Sequence, residues 1–223
     1  MSNSLKSALL SPICQVGGLV LGIGAGGIVH GLLPGHTMDV QRVLPAAFFA
    51  LLGLLGGGMA WGALIARLAG SPEAKRAAGA GAIWAAAMLI VMLAMQALEP
   101  ALIENDALRM PIHNLYTLLF VLSTAIVSFV TAWAMAIALR RRERALRVAL
   151  SAALLCALVY LIVNVGMDLL GWRVGAPRAA ERFTMLAVTF VGSIAASATI
   201  GAVLVATFGE RGVALRQALS TQA

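Results

Sequence analysis

The stretch GIGAGGIVHGLLPGH, Gly22 to His36, carries two incompatible readings, and the choice between them decides the fold. Gly22-x-Gly24-x-x-Gly27 has the spacing of a dinucleotide-binding loop. That loop needs a strand before it, a helix opening at it and an acidic residue about 20 positions on. Here the glycines follow the apolar run QVGGLVL and lead into more apolar residues, and Asp39 falls too early. The nucleotide reading is therefore rejected. A second periodicity fits: Gly18, Gly22 and Gly26 recur every four residues, as do Gly27, Gly31 and Gly35. On a helix such rows form faces without side chains, where another backbone approaches closely.

Composition supports a helix in lipid. Of 223 residues, 61% are hydrophobic and 11% charged, and the mean hydropathy is +0.95. A soluble domain carries about 25% charged residues. Six charge-free windows stand out: 7–38, 43–66, 77–98, 110–139, 148–167 and 183–209. Each is long enough for the roughly 20 apolar residues that a helix needs to cross a bilayer. None alternates in polarity as barrel strands do. The expectation is an all-α integral membrane protein, a six-transmembrane-helix bundle with short loops. It forms a single polytopic domain over 1–223, with spans near 13–33, 44–68, 77–98, 115–139, 148–170 and 185–208. The first apolar stretch is longer than a signal peptide's, and only Lys6 precedes it, so it reads as a span.

The net charge of +7 is distributed unevenly. Lys6, Arg67, Lys75, Arg76, Arg140, Arg141, Arg142, Arg144, Arg147, Arg211 and Arg216 fall on one side of the predicted spans. Arg42, Arg109, Arg173, Arg178 and Arg182 fall on the other. The positive-inside rule then places both termini in the cytoplasm, and the inner membrane is the expected location. The run RRRERALR (Arg140–Arg147) reads as a topology anchor that also meets anionic headgroups, and a nucleic-acid role is excluded for it. Cys14 and Cys156 lie in apolar runs and read as small buried hydrophobes. Trp61, Trp84 and Trp133 read as packed between helices.

Candidate functional residues lie toward the outer side. Asp168, Asn164 and Tyr160, spaced by four, share one face of the fifth span, and polar groups there should look into the bundle. Thr117 begins a row with Thr124, Ser128 and Thr131 on the fourth span. His30, His36 and His113, with Asp39, are the candidates for a divalent metal, and His30 with His113 the one candidate pair for haem. Pro34 and Gly35 separate His30 from His36, so no single helical face presents both, and no cofactor is expected. Helix-packing seams are expected at Gly18, Gly22 and Gly26, at Gly53, Gly57, Gly58 and Gly62, and at Ser193, Ser197 and Gly201. No G-x-S-x-G, H-E-x-x-H or paired catalytic carboxylates occur within a span, so enzyme chemistry has little support.

Two function classes follow. The favoured one is a small transporter or permease component for a small solute or ion entering from the outer face. The alternative is a non-catalytic accessory subunit packed against other membrane subunits or a second copy, and a histidine-held haem or metal protein ranks behind both. The lipid bilayer is the partner common to all three.

Overall fold

The first helix begins at the very start of the chain. Ser2 caps it: its hydroxyl accepts the Leu5 N–H at 3.2 Å, filling one of the donors that a helix start leaves open. In the computed structural model, which describes residues 2–33, 40–103, 112–169 and 178–209, this helix, α1, spans Asn3–Leu32. It is followed by α2 (Val40–Leu68), α3 (Ala74–Ile103), α4 (Ile112–Ala138), α5 (Ala145–Leu169) and α6 (Arg178–Phe208). Side chains are described over 2–33, 44–91, 93–94, 117–166 and 191–209. All six helices are long and apolar enough to cross a membrane.

The start of α1 corrects the expected span, which opened at Ile13. Pro12 lies inside the helix. It has no N–H to give to the Ala8 carbonyl, but the turns on either side stay helical, so Ser7 and Ser11 join the same rod as Gly18. The third helix also outruns its expected end at Leu98 and continues to Ile103, which shortens the connection to α4.

Each helix packs on its neighbours in sequence, and α6 returns to pack on α1, so the six close into a ring. Consecutive helices run antiparallel. Gly18 faces Gly53 and Gly57, Gly22 faces Phe49 and Gly53, and Gly26 faces Ala46, a descending register. A Cβ on Gly18 would stand 2.6 Å from both the Gly53 carbonyl oxygen and the Gly57 Cα. Only hydrogen fits there, and that near-contact of backbones is what joins α1 to α2. A second seam joins α2 to α3, with Gly58 against Gly81 and Gly62 against Ala77.

Two turns at one end of the ring share a geometry. After α2, Gly70 (φ 70°) takes the left-handed conformation, its N–H reaches the Arg67 carbonyl and that of Ser71 reaches Ala66. After α4, Arg140 (φ 58°) does the same: its N–H reaches Ile137, and that of Arg141 reaches Ala136. Both are Schellman closures, which tie off helix carbonyls that would otherwise lack donors. The Glu73 carboxylate bridges the two turns, meeting Arg140 Nε at 2.6 Å and Arg76 Nε at 3.5 Å. This end, called the near end below, also holds the start of α1, where Asn3 Nδ2 donates to the Leu68 carbonyl at 3.0 Å. The opposite end is the far end.

Among the described residues the core sits toward the near end. Trp61, Ile65, Met135, Ala149, Cys156 and Leu204 have no solvent exposure. Trp61 and Trp84 meet with ring centroids 6.5 Å apart. Trp133 does not join them, contrary to expectation. It is 39% exposed on the outer surface of α4, with its ring 5.5 Å from that of Phe129 one turn earlier. The outer surface of α4 is apolar around it, with Val130 and Ile137 also exposed, so apolar character alone does not send an indole inward.

Candidate functional site

Three polar residues of α1 form the most unusual interior feature. Ser7, Ser11 and Gln15, one helical turn apart, are all buried, at 0%, 0% and 1% exposure. Trp61 Nε1 donates to Ser11 Oγ at 2.8 Å, linking the stripe to α2. Across from it is α6: a Cβ built on Gly201 would run into Ser11 and come within 2.9 Å of Ser7 Oγ. The glycine thus leaves the space that the two hydroxyls occupy. Among the described residues, Ser7 Oγ and both amide atoms of Gln15 have no hydrogen-bond partner. An orphaned buried donor or acceptor costs about 1–3 kcal/mol. Gln15 stands about 18 Å along the helix from Asn3, at 1.5 Å per residue, and so deep in the ring.

A second polar group approaches from the far half of α5. Tyr160 and Asn164 are each 2% exposed. The Tyr160 ring stacks on Phe120 of α4, centroids 6.3 Å apart at 25°, and its other edge fills the space left by Gly192 of α6. Asn164 Nδ2 donates to the Tyr160 carbonyl at 2.9 Å. This back-bond satisfies one donor within the helix, as side chains in membrane helices commonly do. Asp168 follows one turn later in α5, and its side chain lies outside the described residues.

Helix α6 connects the two groups. Gly192 meets Tyr160, while Gly201 meets Ser7 and Ser11, with Ser193 half-buried and Ser197 7% exposed between them. Along this one helix the polar lining therefore passes from α5 in the far half to α1 in the near half.

The remaining sequence candidates are placed as follows. Gly18, Gly22 and Gly26 face α2, whereas Gly27 and Gly31 have nothing within 4 Å. Thr117 is half-buried near the start of α4. Further along α4, Ser128 is 5% exposed and Thr131 fully buried, with Thr131 Oγ1 donating back to the Val127 carbonyl at 2.6 Å. Cys156 is buried, its thiol 3.6 Å from the Ala196 carbonyl. His30 is half-buried in the last turn of α1. His113 lies in α4 with its side chain outside the described residues, and His36 and Asp39 lie wholly outside them. Among the described residues no three His, Cys, Asp or Glu side chains gather as a metal set.

Ser7, Ser11 and Gln15 escaped the sequence reading. Their signal is the spacing of four, but a span that opens at Ile13 leaves two of the three outside it. No family model, curated protein or solved structure matches the chain.

Proposed function

We propose that the chain is a multi-pass protein of the inner membrane, both termini cytoplasmic, which acts as a small transporter or permease component. It passes a small polar solute or an ion inward from the outer face. The near end is the cytoplasmic end on this reading. Asp168, Asn164 and Tyr160, with Thr117, form the outer approach, and Ser193, Ser197, Gln15, Ser11 and Ser7 form the inner leg.

The observation that carries the reading is the Gln15 amide, buried at 1% exposure with neither its oxygen nor its nitrogen partnered among the described residues. In hydrocarbon such a group is retained at a cost, and polar side chains facing a bundle interior mark pathways. A passing guest that donates to Gln15 Oε1 and accepts from Nε2 supplies what the protein leaves out. The Tyr160 ring is wedged between Phe120 and Gly192, and on this reading it closes the approach.

The test is flux into proteoliposomes. Proton, sodium and potassium entry is followed with trapped indicators, and glycerol and urea entry by light scattering. At least one probe enters faster than through protein-free vesicles. Gln15→Leu and Asn164→Leu each lower that rate about tenfold, the factor given by about 1.4 kcal/mol of lost stabilisation. Unchanged flux in both variants removes the pathway.

One observation favours the accessory-subunit reading. Gly17, Gly24, Gly27 and Gly31 leave a second face of α1 with nothing within 4 Å among the described residues. A small-residue face of this kind suits a transmembrane helix of another subunit. Purification from the native membrane in mild detergent separates the readings: a stoichiometric partner chain supports the second, and a lone chain that conducts supports the first.

A further inference from the structure

The arginine-rich turn between α4 and α5 does more than mark a side of the membrane. Arg140 is engaged by Glu73 and held in the turn. The arginines that follow face elsewhere. Arg144 and Arg147 line a shallow cleft with Ser151 of α5 and Thr207 of α6, and Val148, 4% exposed, is its floor. Two arginines, a serine and a threonine line it, and among the described residues no aspartate or glutamate does. Arg144 Nε has only a long contact to Glu143, at 3.9 Å, and among the described residues Arg147 has no ion-pair partner. Guanidinium forks with hydroxyl donors beside them are the chemistry that binds a phosphate oxygen cluster.

The same face of α5 continues as hydrocarbon. From Arg147 and Ser151 it runs through Leu154, Leu158, Ile162 and Val165, all exposed, at 72%, 49%, 60% and 47%. These positions recur at helical spacing, so one straight strip has two cationic and hydroxyl contacts at its near end and an apolar bed below. A phosphate with an acyl chain attached matches both parts, while a free phosphate matches only the first.

We propose that the cleft of Arg144, Arg147, Ser151 and Thr207 is a binding site for the phosphate of an anionic phospholipid, whose acyl chain lies along Leu154, Leu158 and Ile162. It is separate from the polar lining of the ring and holds whether or not the chain transports. The site would fix the α5 start to the α6 end through a lipid at the near-end interface.

The experiment uses the full chain in a neutral detergent, titrated with phosphatidylglycerol and read by native mass spectrometry. Phosphatidylcholine and inorganic phosphate are the two comparison arms. One phosphatidylglycerol binds with the highest affinity, and Arg144→Gln with Arg147→Gln weakens it roughly thirtyfold, two basic contacts' worth. Leu154→Asn with Leu158→Asn weakens phosphatidylglycerol and leaves phosphate unaffected. A control pair, Arg67→Gln with Lys75→Gln, removes the same charge from exposed positions at the same end and changes affinity less than about threefold. Equal loss in the control pair overturns the site in favour of a diffuse surface potential. Binding of inorganic phosphate as tight as that of the lipid also overturns it, as does equal affinity for phosphatidylcholine. If the arginine pair fails to fold, Ser151→Val with Thr207→Val provides the second route: the first-bound lipid weakens severalfold, and unchanged affinity overturns the proposal.

Discussion

The two halves of the ring are built differently. In the near half, five of the helices bring large side chains to one place: Trp61 and Ile65 from α2, Trp84 from α3, Met135 from α4, Cys156 from α5, and Leu204 from α6. In the far half, no described residue of α3 beyond Ala85 or of α4 before Val127 is buried, and none of α2 before Leu54 is. Among the described residues, what holds the far half is narrower: the glycine seam between α1 and α2, and the Tyr160 wedge among α4, α5 and α6. Close packing of large side chains resists rearrangement, because any shift forfeits many contacts at once. A seam of backbones and one aromatic wedge have fewer contacts to lose. Among the described residues the near half is accordingly the more extensively packed of the two.

The two tryptophans that differ most in setting test this most severely. Trp61 is fully buried and hydrogen-bonded to Ser11, while Trp133 is 39% exposed on the outside of the same half. Trp61→Ala should cost about 3–5 kcal/mol, the range for a large aromatic removed from a packed core. Trp133→Ala should cost about 1 kcal/mol, the worth of its contact with Phe129. Reversible unfolding in mixed micelles measures both. Similar losses would mean that the near half is not organised around an interior.

The glycines give a comparison of opposite sign within one helix. A Cβ on Gly22 would lie 2.7 Å from the Phe49 carbonyl oxygen and 2.9 Å from the Gly53 Cα, while one on Gly24 meets nothing within 4 Å. Gly22→Ala should destabilise by about 1–3 kcal/mol, because neighbouring backbone must move. Gly24→Ala should stabilise by about 0.5–1 kcal/mol through helix propensity alone. If both substitutions stabilise, the α1–α2 seam is not closed as described.

The stripe at Gln15 couples the comparison to function. Gln15→Leu replaces two unpartnered polar atoms with a similar apolar volume, and about 1–3 kcal/mol of stability should be gained. The flux carried by the intact chain should fall in the same variant. A stability loss would show that the amide has partners in the folded protein and would withdraw it from the pathway.

How much of this could be read beforehand differs between fold and site. Six apolar rods are legible because charge avoids hydrocarbon, and the windows between charges are long. Tyr160 and Asn164 are legible as one face from their spacing of four. Which helices that face meets is not encoded in spacing. Phe120 and Gly192 reach Tyr160 only because α6 closes the ring, a consequence of long-range packing. Ser7 and Ser11 were hidden by their polarity and by Pro12, both of which argue locally against a buried helix. They stand inside because Gly201 leaves room for them on a helix almost 200 residues away.

The smallest effect is at the joint between the two near-end turns. Gly70 and Arg140 occupy equivalent left-handed positions, but a side chain in that conformation is disfavoured where glycine is not. Arg140 stays there beside Glu73, and the two side chains are 66% and 19% exposed. A pair this open to water contributes little, so the strain and the attraction nearly offset each other. Arg140→Gly then removes both together, and its stability should stay within about 0.5 kcal/mol of the parent's. Arg140→Ala removes the attraction and keeps the strain, and should fall below Arg140→Gly by about 1 kcal/mol. Thermal unfolding of the two variants side by side isolates the backbone contribution, because neither has the ion pair. Should alanine prove as stable as glycine, the turn after α4 does not hold the left-handed conformation, and its likeness to the turn after α2 fails with it.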